Sequence, residues 1–192
     1  MKRIITGSFD GACEPNNPGG IATYGYVIQS GGQVLSAGRG VVGEGPAMTN
    51  NVAEYQGLIK MLEGIREVVE NGDDIEVEGD SQLVIRQMTG QYKVKSTRIV
   101  NLQRRAKKLV LRLRGENHHV RFKWVERELN SKADTLSHQA FEEYCKERGY
   151  VFIPCKCGGT MVPKRNSKTG HRFMGCSRFP VCRRTTAFHE PE

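Results

Sequence analysis

The sequence predicts an α/β domain built on a mixed five-stranded sheet with helices on both faces, followed by a small cysteine-containing module. Three observations lead there. Three strand-like segments come first, and strand-like and helix-like segments then alternate, as in a sheet that is partly antiparallel and partly parallel. The 192 residues are 38% hydrophobic and 26% charged, a globular rather than a disordered composition. The alternation stops at Gly149 and Pro154, beyond which the chain is short and basic and holds four of its six cysteines. We place the larger domain at residues 1–148 and the module at 149–192.

Each element has its own signal. Residues 3–12 read as a strand ending at Asp10-Gly11, and CEPNNPGG is a loop of turn formers. Residues 21–30 and 33–42 read as strands joined by Gly31-Gly32, a hairpin signal. Over residues 51–70, Tyr55, Leu58, Leu62, Ile65 and Val69 recur at steps of three and four, a helix. Thr49, Asn50 or Asn51 can cap it, and Asn71-Gly72 stops it. Residues 74–79 alternate as a short strand. A short helix is expected over 81–89, with a turn at Gly90. Ile99, Leu102, Ala106, Leu109, Val110 and Leu113 define a second long helix whose other face carries Arg104, Arg105, Lys107, Lys108 and Arg112. Residues 119–125 alternate Val120, Phe122 and Trp124 with Arg121 and Lys123, a strand. Residues 131–147 form the last helix, with Ala133, Leu136, Ala140, Phe141 and Tyr144 on one side. There is no internal repeat.

The formal net charge of +8 is segregated: −7 over residues 1–80, +11 over 81–127, −2 over 128–150 and +6 over 151–192. Basic excess in blocks suggests a polyanion partner, most simply nucleic acid. No apolar run approaches the roughly 18 residues that span a bilayer, so no membrane partner is expected. The N-terminus has two basic residues but only a two-residue apolar stretch, not a signal peptide. We expect a cytoplasmic monomer.

Four carboxylates sit at element ends. Asp10 ends the first strand, Glu54 lies in the first turn of the first helix, Asp80 ends the fourth strand, and Asp134 is near the start of the last helix. In an α/β sheet such ends converge at one edge, where ligands bind. Four carboxylates there repel one another unless cations sit between them. Hard divalent cations prefer oxygen ligands. Two of them, about 3.5–4 Å apart, stabilise the attacking and leaving oxygens of an in-line phosphoryl displacement. Taken singly, Asp10 or Asp80 would be a strand-end cap and Glu54 a favourable first-turn residue.

The segments FDGACEPNNPGG, TNNVAEYQGL, EGDSQLV and VERELNSKADTLS, in this order over about residues 1–148, resemble the type 1 ribonuclease H family. Each is weak alone; together they are specific. The resemblance implies the ribonuclease H-like fold. It also implies a nuclease that uses two metal ions, Mg²⁺ or Mn²⁺, to cleave the RNA strand of an RNA/DNA hybrid, leaving 5′-phosphate and 3′-hydroxyl ends. By the same resemblance Asp10, Glu54, Asp80 and Asp134 are the metal-binding catalytic carboxylates, with Asp10 bridging both ions. Asn16 or Asn17, Asn50, Asn51 and Gln82 fall where the family touches hybrid sugars and base edges, and Thr49 where it touches a DNA phosphate. Short amides both donate and accept hydrogen bonds, including to the 2′-hydroxyl that separates RNA from DNA.

Two departures stand out. The best-known members keep a mobile histidine in the loop between Trp124 and Asp134; here Arg127 and Glu128 occupy it. This looks like the branch found in archaea and some bacteria, where an arginine replaces that histidine, and we assign Arg127 to product release or phosphate contact. The basic handle helix of those members is also missing, since QYKVKS leads straight to the next helix. Hybrid binding then leans on Lys93, Lys95, Arg98, the 104–108 cluster or the C-terminal module. The basic face of residues 98–114 is otherwise a solvated helix face. His118 and His119 read as surface residues, His138 either faces the site or is simply exposed, and Cys13 and Cys145 read as cytosolic thiols without partners.

The module contains CKCGGTMVPKRNSKTGHRFMGCSRFPVC. Cys155, Cys157, Cys176 and Cys182 suit a tetrahedral Zn²⁺ site. A module of about 40 residues cannot bury enough surface to fold without a metal or crosslink. The stretch resembles the four-cysteine zinc ribbon of type IA topoisomerases, ribbons that bind single-stranded DNA. Its first pair departs from the usual Cys-x2-Cys, with Pro154 where the first cysteine belongs, so His171 is a substitute ligand to weigh. Phe173, Phe179 and Phe188 serve either as base-stacking groups or as a minimal core. A ribbon acting as a second nucleic-acid grip predicts that truncation near residue 150 weakens hybrid affinity and its salt dependence. Alternative functions are a nuclease that also cuts double-stranded RNA, and a non-catalytic adaptor that only binds hybrids. Transposase and integrase relatives share the fold but lack the TNNxAE and GDSQ segments in this form.

Overall fold

The computed structural model describes residues 3–149, 153–157, 160–166, 169–176, 179 and 181–188. Residues 150–152, just past the expected boundary, lie outside the described residues.

The first part runs β1 (Ile4–Glu14), β2 (Ile21–Ser30), β3 (Gln33–Glu44), α1 (Asn50–Val68), β4 (Asp74–Gly79), α2 (Gln82–Met88), α3 (Thr97–Gly115), β5 (His119–Trp124) and α4 (Ser131–Glu147). The expected order and the helical periods are all present. The strand order is β3-β2-β1-β4-β5, with β1–β2 and β2–β3 antiparallel and β1–β4 and β4–β5 parallel. One short element was not foreseen: a 3₁₀ turn at Arg127–Asn130 between β5 and α4.

The two faces of the sheet carry different helices because of side-chain alternation. Asp10 pairs with Gly25 across β1–β2, so both project from the same face. A Cβ on Gly25 would lie 2.4 Å from the Ala133 carbonyl oxygen and 2.5 Å from the Ser137 nitrogen, which places α4 on that face. Gly11 projects the opposite way, and a Cβ there would lie 2.2 Å from the Glu54 nitrogen of α1. The two glycines let α1 and α4 close onto the central strands at the same level, on either side of Asp10.

The main core lies under α1. Tyr55, Leu58, Ile59, Met61, Leu62 and Ile65 pack with Ile5, Phe9, Ile75 and Val77 of the sheet and with Ala106, Val110 and Leu113 of α3. Thr49 caps α1, accepting from the Val52 N–H at 3.2 Å. Between Met88 and Thr97 the chain forms no helix, as the absent handle requires. Contrary to expectation, His118 is buried, its Nδ1 3.3 Å from the Asp73 carbonyl oxygen; His119 is exposed. The chain doubles back after α3 beside Asp73, and His118 is enclosed there.

The C-terminal module forms a second sheet, β6 (Ile153–Pro154), β7 (Thr160–Arg165), β8 (Arg172–Cys176) and β9 (Thr185–Ala187), in that order and antiparallel throughout. Met161, Met174 and Cys176 pack with Cys155 in a small core. Val162 instead joins Ile21, Phe141 and Cys145, so β7 seats on β2 and α4.

Candidate active site

Asp10, Glu54 and Asp80 come together at the edge of the sheet where β1 and β4 run parallel. Each offers a carboxylate oxygen within 4.8 Å of the others. The three converge as expected of an α/β edge, but from other positions than expected: β1 runs on to Glu14, so Asp10 lies within the strand rather than at its end, and α1 begins at Asn50, which leaves Glu54 beyond its first turn.

Each carboxylate has its own support. Asp10 is buried and accepts a hydrogen bond from the Ser137 hydroxyl, nearly two turns into α4. Asp80 Oδ1 accepts from Asn130 Nδ2 at 2.8 Å, and the same amide donates to the Phe9 carbonyl at 2.9 Å. Trp124 Nε1 donates to the Asp80 carbonyl at 3.0 Å. Glu54 differs: its Oε2 is buried with no hydrogen-bond partner.

This crowding disfavours charge. Burial, with the charges of Asp80 and Asp134 added, pushes Asp10 up to about 6 against the pull of the Ser137 hydroxyl. Burial holds Glu54 well above the usual carboxylate range, with Asp10 and Asp80 adding to it. Buried like charges shift this way unless a cation compensates them.

The fourth carboxylate stands apart from the cluster of three. Asp134 lies in the first turn of α4 and its Oδ1 accepts from Arg127 Nη2 at 2.6 Å. The side chain of Arg127 is 74% exposed at the mouth of the site. Arg127 thus reaches the acidic edge through Asp134, from the unforeseen 3₁₀ turn.

The expected substrate residues cluster around the loop after β1 and the start of α1. Asn50 Oδ1 accepts from the Cys13 N–H at 2.8 Å, and Asn17 Oδ1 accepts from the Asn50 N–H at 3.0 Å. The Asn16 carbonyl accepts from Gly20 at 2.8 Å and from the Cys13 thiol at 3.2 Å. Asn51 and Gln82 are exposed. Thr49 spends its hydroxyl oxygen on the helix cap. His138 is half-buried, 3.9 Å from Glu14 and 3.4 Å from Glu142, rather than on the three carboxylates.

Asn130 and Ser137 hold the carboxylates, and Trp124 holds the backbone of Asp80, without having been singled out for this. Asn130 stood inside the quoted VERELNSKAD segment, and Ser137 lies three residues after Asp134, on the same helical face. Both signals were present, but only the fold shows what each side chain reaches.

In the module the four sulfurs of Cys155, Cys157, Cys176 and Cys182 also lie within 4.8 Å of one another. Cys155–Cys182 and Cys157–Cys176 are 3.7 and 3.4 Å apart. The unusual Cys-x-Cys spacing still delivers both sulfurs to the cluster. His171 is exposed and is not part of it.

A mixed β3-β2-β1-β4-β5 sheet flanked by α1 and α4, with three carboxylates meeting where β1 and β4 run parallel, defines the ribonuclease H class of fold. A family model described as reverse transcriptase-like matches residues 8–140. The bifunctional protein Rv2228c of Mycobacterium tuberculosis is 34% identical over 159 residues, covering 81% of this chain and 41% of that protein. The solved N-terminal RNase H domain of Rv2228c superposes with a TM-score of 0.66 at 30% identity, covering 77% of this chain and 99% of that one. Ribonuclease HI of Halobacterium salinarum is 35% identical over 136 residues, covering 70% of this chain and 63% of that protein. LC11-RNase H1, solved in complex with an RNA/DNA hybrid, gives a TM-score of 0.60 at 34% identity, covering 74% of this chain and 99% of that one. Separately, 27 residues, 14% of this chain, are 59% identical to DNA topoisomerase 1 of Pyrococcus horikoshii, of which they cover 4%. The chain belongs to the ribonuclease H family of enzymes. It spans about two fifths of the length of the mycobacterial relative and under two thirds of the halobacterial one. Among the described residues no helix is long and apolar enough to cross a membrane.

Proposed function

We propose that residues 1–148 are a ribonuclease H domain that hydrolyses the RNA strand of RNA/DNA hybrids, leaving 5′-phosphate and 3′-hydroxyl ends, and that residues 149–192 are a zinc ribbon. One observation carries this most: three carboxylates converge within 4.8 Å while Glu54 Oε2 is buried without a partner. Such a set fits hard divalent cations, Mg²⁺ or Mn²⁺. Asp10, Glu54, Asp80 and Asp134 would hold two such ions, which would supply Lewis-acid stabilisation of the phosphate and a more acidic attacking water.

The chain's own residues do the rest. Ser137 and Asn130 each donate to one carboxylate oxygen, of Asp10 and Asp80 respectively, and so fix the orientation of these two groups. Arg127 carries a fixed positive charge to the mouth, paired with Asp134, where it meets a substrate or product phosphate. Asn16, Asn17, Asn50, Asn51 and Gln82 meet hybrid sugars and base edges, with Thr49 on a DNA phosphate. Asn17 and Asn50 also tie the loop after β1 to the start of α1, so the surface they form is pre-organised. That LC11-RNase H1, at 34% identity, was solved with an RNA/DNA hybrid supports this substrate class.

In the ribbon, a tetrahedron of about 2.3 Å Zn–S bonds has edges near 3.8 Å, close to the 3.7 and 3.4 Å sulfur separations. The six cysteines form no disulfide, which suits a reducing compartment such as the cytoplasm.

The test is cleavage of labelled RNA/DNA, RNA/RNA and DNA/DNA duplexes with Mg²⁺ or Mn²⁺, with Asp10→Asn as control. We expect cuts in the RNA of the hybrid and none with Asp10→Asn. Activity that survives Asp10→Asn overturns the mechanism. Binding of hybrid without cleavage by the unaltered chain favours the adaptor reading.

A further inference from the structure

We propose that Val162 and Lys164 of the C-terminal module are positioning residues for hybrid recognition: they brace the loop after β1, so that the module acts through that loop rather than by touching the hybrid. This rests on the hybrid-nuclease reading and adds to it the residues that hold its reading loop in place.

The first observation is that β7 works on two faces. Side chains alternate along a strand. Met161 packs with Cys155, Met174 and Cys176 in the sulfur core. Val162 projects the other way and packs with Ile21, Phe141 and Cys145 of the first domain. Gly175 of β8 pairs with Val162, and a Cβ there would lie 2.8 Å from Lys164 Cδ. Lys164 therefore shares the face of Val162. It lines a cleft of about 450 Å³ together with Pro15, Asn16, Gly19 and Gly20 of the loop after β1. The module also fixes the far end of this side chain, since its ammonium lies 5.1 Å from the Phe179 ring centroid. One strand thus joins the sulfur core to the loop that carries Asn16 and Asn17.

The second observation is how that loop is tied. On the side of α1 the ties are hydrogen bonds: Gly19 N–H to the Met48 carbonyl at 3.0 Å, and Asn50 N–H to Asn17 Oδ1 at 3.0 Å. At the root of the loop the tie is charge. Glu14 Oε2 is buried with no hydrogen-bond partner, and His138 Nδ1 of α4 stands 3.9 Å away. Burial pushes the Glu14 carboxyl up, with His138 and Lys164 pulling the other way. A buried carboxylate is tolerated where cations offset it, and Lys164 is the module's share of that offset. Without it Glu14 turns toward water or takes a proton, and Asn16 and Asn17 shift with it.

The experiment uses the full chain. Lys164→Met removes the charge and keeps the stem, and Lys164→Arg restores the charge. Lys164 is only half-buried, so the module stays folded, which unchanged zinc content verifies. Backbone hydrogen–deuterium exchange over residues 14–21 should quicken about fivefold in Lys164→Met, the low end of coupling between separate sites, and recover in Lys164→Arg. Hybrid cleavage should show KM raised by about the same factor, with kcat unchanged. Direct contact predicts something else: losing a lysine from a phosphate lowers the salt slope of affinity by about one and weakens all duplexes alike. We expect Lys164→Met, in the Asp10→Asn background, to bind the hybrid less tightly with its salt slope unchanged, and DNA/DNA as before. Unchanged exchange over residues 14–21 overturns the inference, as does an unchanged KM. A slope lowered by about one, or an equal loss on DNA/DNA, overturns it too. If the unaltered chain does not cleave the hybrid, the nuclease reading has failed instead, and exchange over residues 14–21 still decides whether β7 braces the loop.

Discussion

The two clusters of groups able to hold a metal are built on opposite principles. The carboxylates of Asp10, Glu54 and Asp80 stand at the edge of a sheet whose core, with Phe9, Leu58 and Val77 fully buried, is complete without them. The sulfurs of Cys155 and Cys176 are themselves the core of the module, with Met161 and Met174. At the acidic edge the fold holds the ligands together against their repulsion. In the module the ligands hold the fold, because so short a stretch buries little else. Removing metal should therefore have opposite consequences at the two ends of the chain.

The largest effect is expected in the module. Structural zinc contributes on the order of 10 kcal/mol to the folding of such units. Cys176→Ser, or a strong zinc chelator, should unfold β7–β9 and expose residues 155–188 to protease, while the first domain keeps its thermal transition. Limited proteolysis with zinc analysis checks this. A module that stays protected without zinc breaks the contrast.

At the acidic edge the effect is on chemistry. Asp10→Asn should lower hybrid cleavage by at least about a thousandfold, since stabilisation of the transition-state charge by metal is worth several kcal/mol. In chelator the same substitution should stabilise the fold. The folded-state pKa of Asp10 is raised from 3.8 to about 6, so the folded protein holds this proton more tightly than the unfolded chain. Its contribution is full below pH 4 and is lost as pH rises to about 6. Above that, Asp10→Asn should be more stable than the unaltered protein by up to about 3 kcal/mol. Denaturant unfolding in chelator at pH 4 and pH 7 measures this, and added Mg²⁺ should remove the difference.

Smaller effects sharpen the comparison. Asn130→Ala removes two hydrogen bonds, to Phe9 and Asp80, and should destabilise the fold by about 2–3 kcal/mol and lower kcat. Val162→Ala thins the seat of the module on α4 and should cost about 1–2 kcal/mol, read as earlier proteolysis at the seam with cleavage retained.

The sequence was more informative about the acidic edge than about its support. The period-two and helical patterns place the five strands and the long helices, and the four segments from FDGACEPNNPGG to VERELNSKADTLS point to the carboxylates. What they leave out is tertiary. Asn130 reaches Phe9 across 121 positions, and Ser137 reaches Asp10 across 127; no local pattern encodes such pairings. Asp134 reads as an equal fourth carboxylate, yet it is drawn to Arg127 because a 3₁₀ turn, too short for a periodic signal, aims the guanidinium at it. His118 reads as polar surface and is buried by the return of the chain. The cysteine spacing identifies the sulfur cluster despite its irregular first pair. The seating of Val162 on Phe141 depends on two surfaces meeting and has no signature in either.

The most direct test of the central claim is one digestion: an RNA/DNA hybrid labelled on both strands, with Mg²⁺, by the unaltered chain and by Glu54→Gln. Cleavage confined to the RNA strand, giving 5′-phosphate ends and lost in Glu54→Gln, is the predicted result. Cleavage of the DNA strand, or undiminished cleavage by Glu54→Gln, would contradict it.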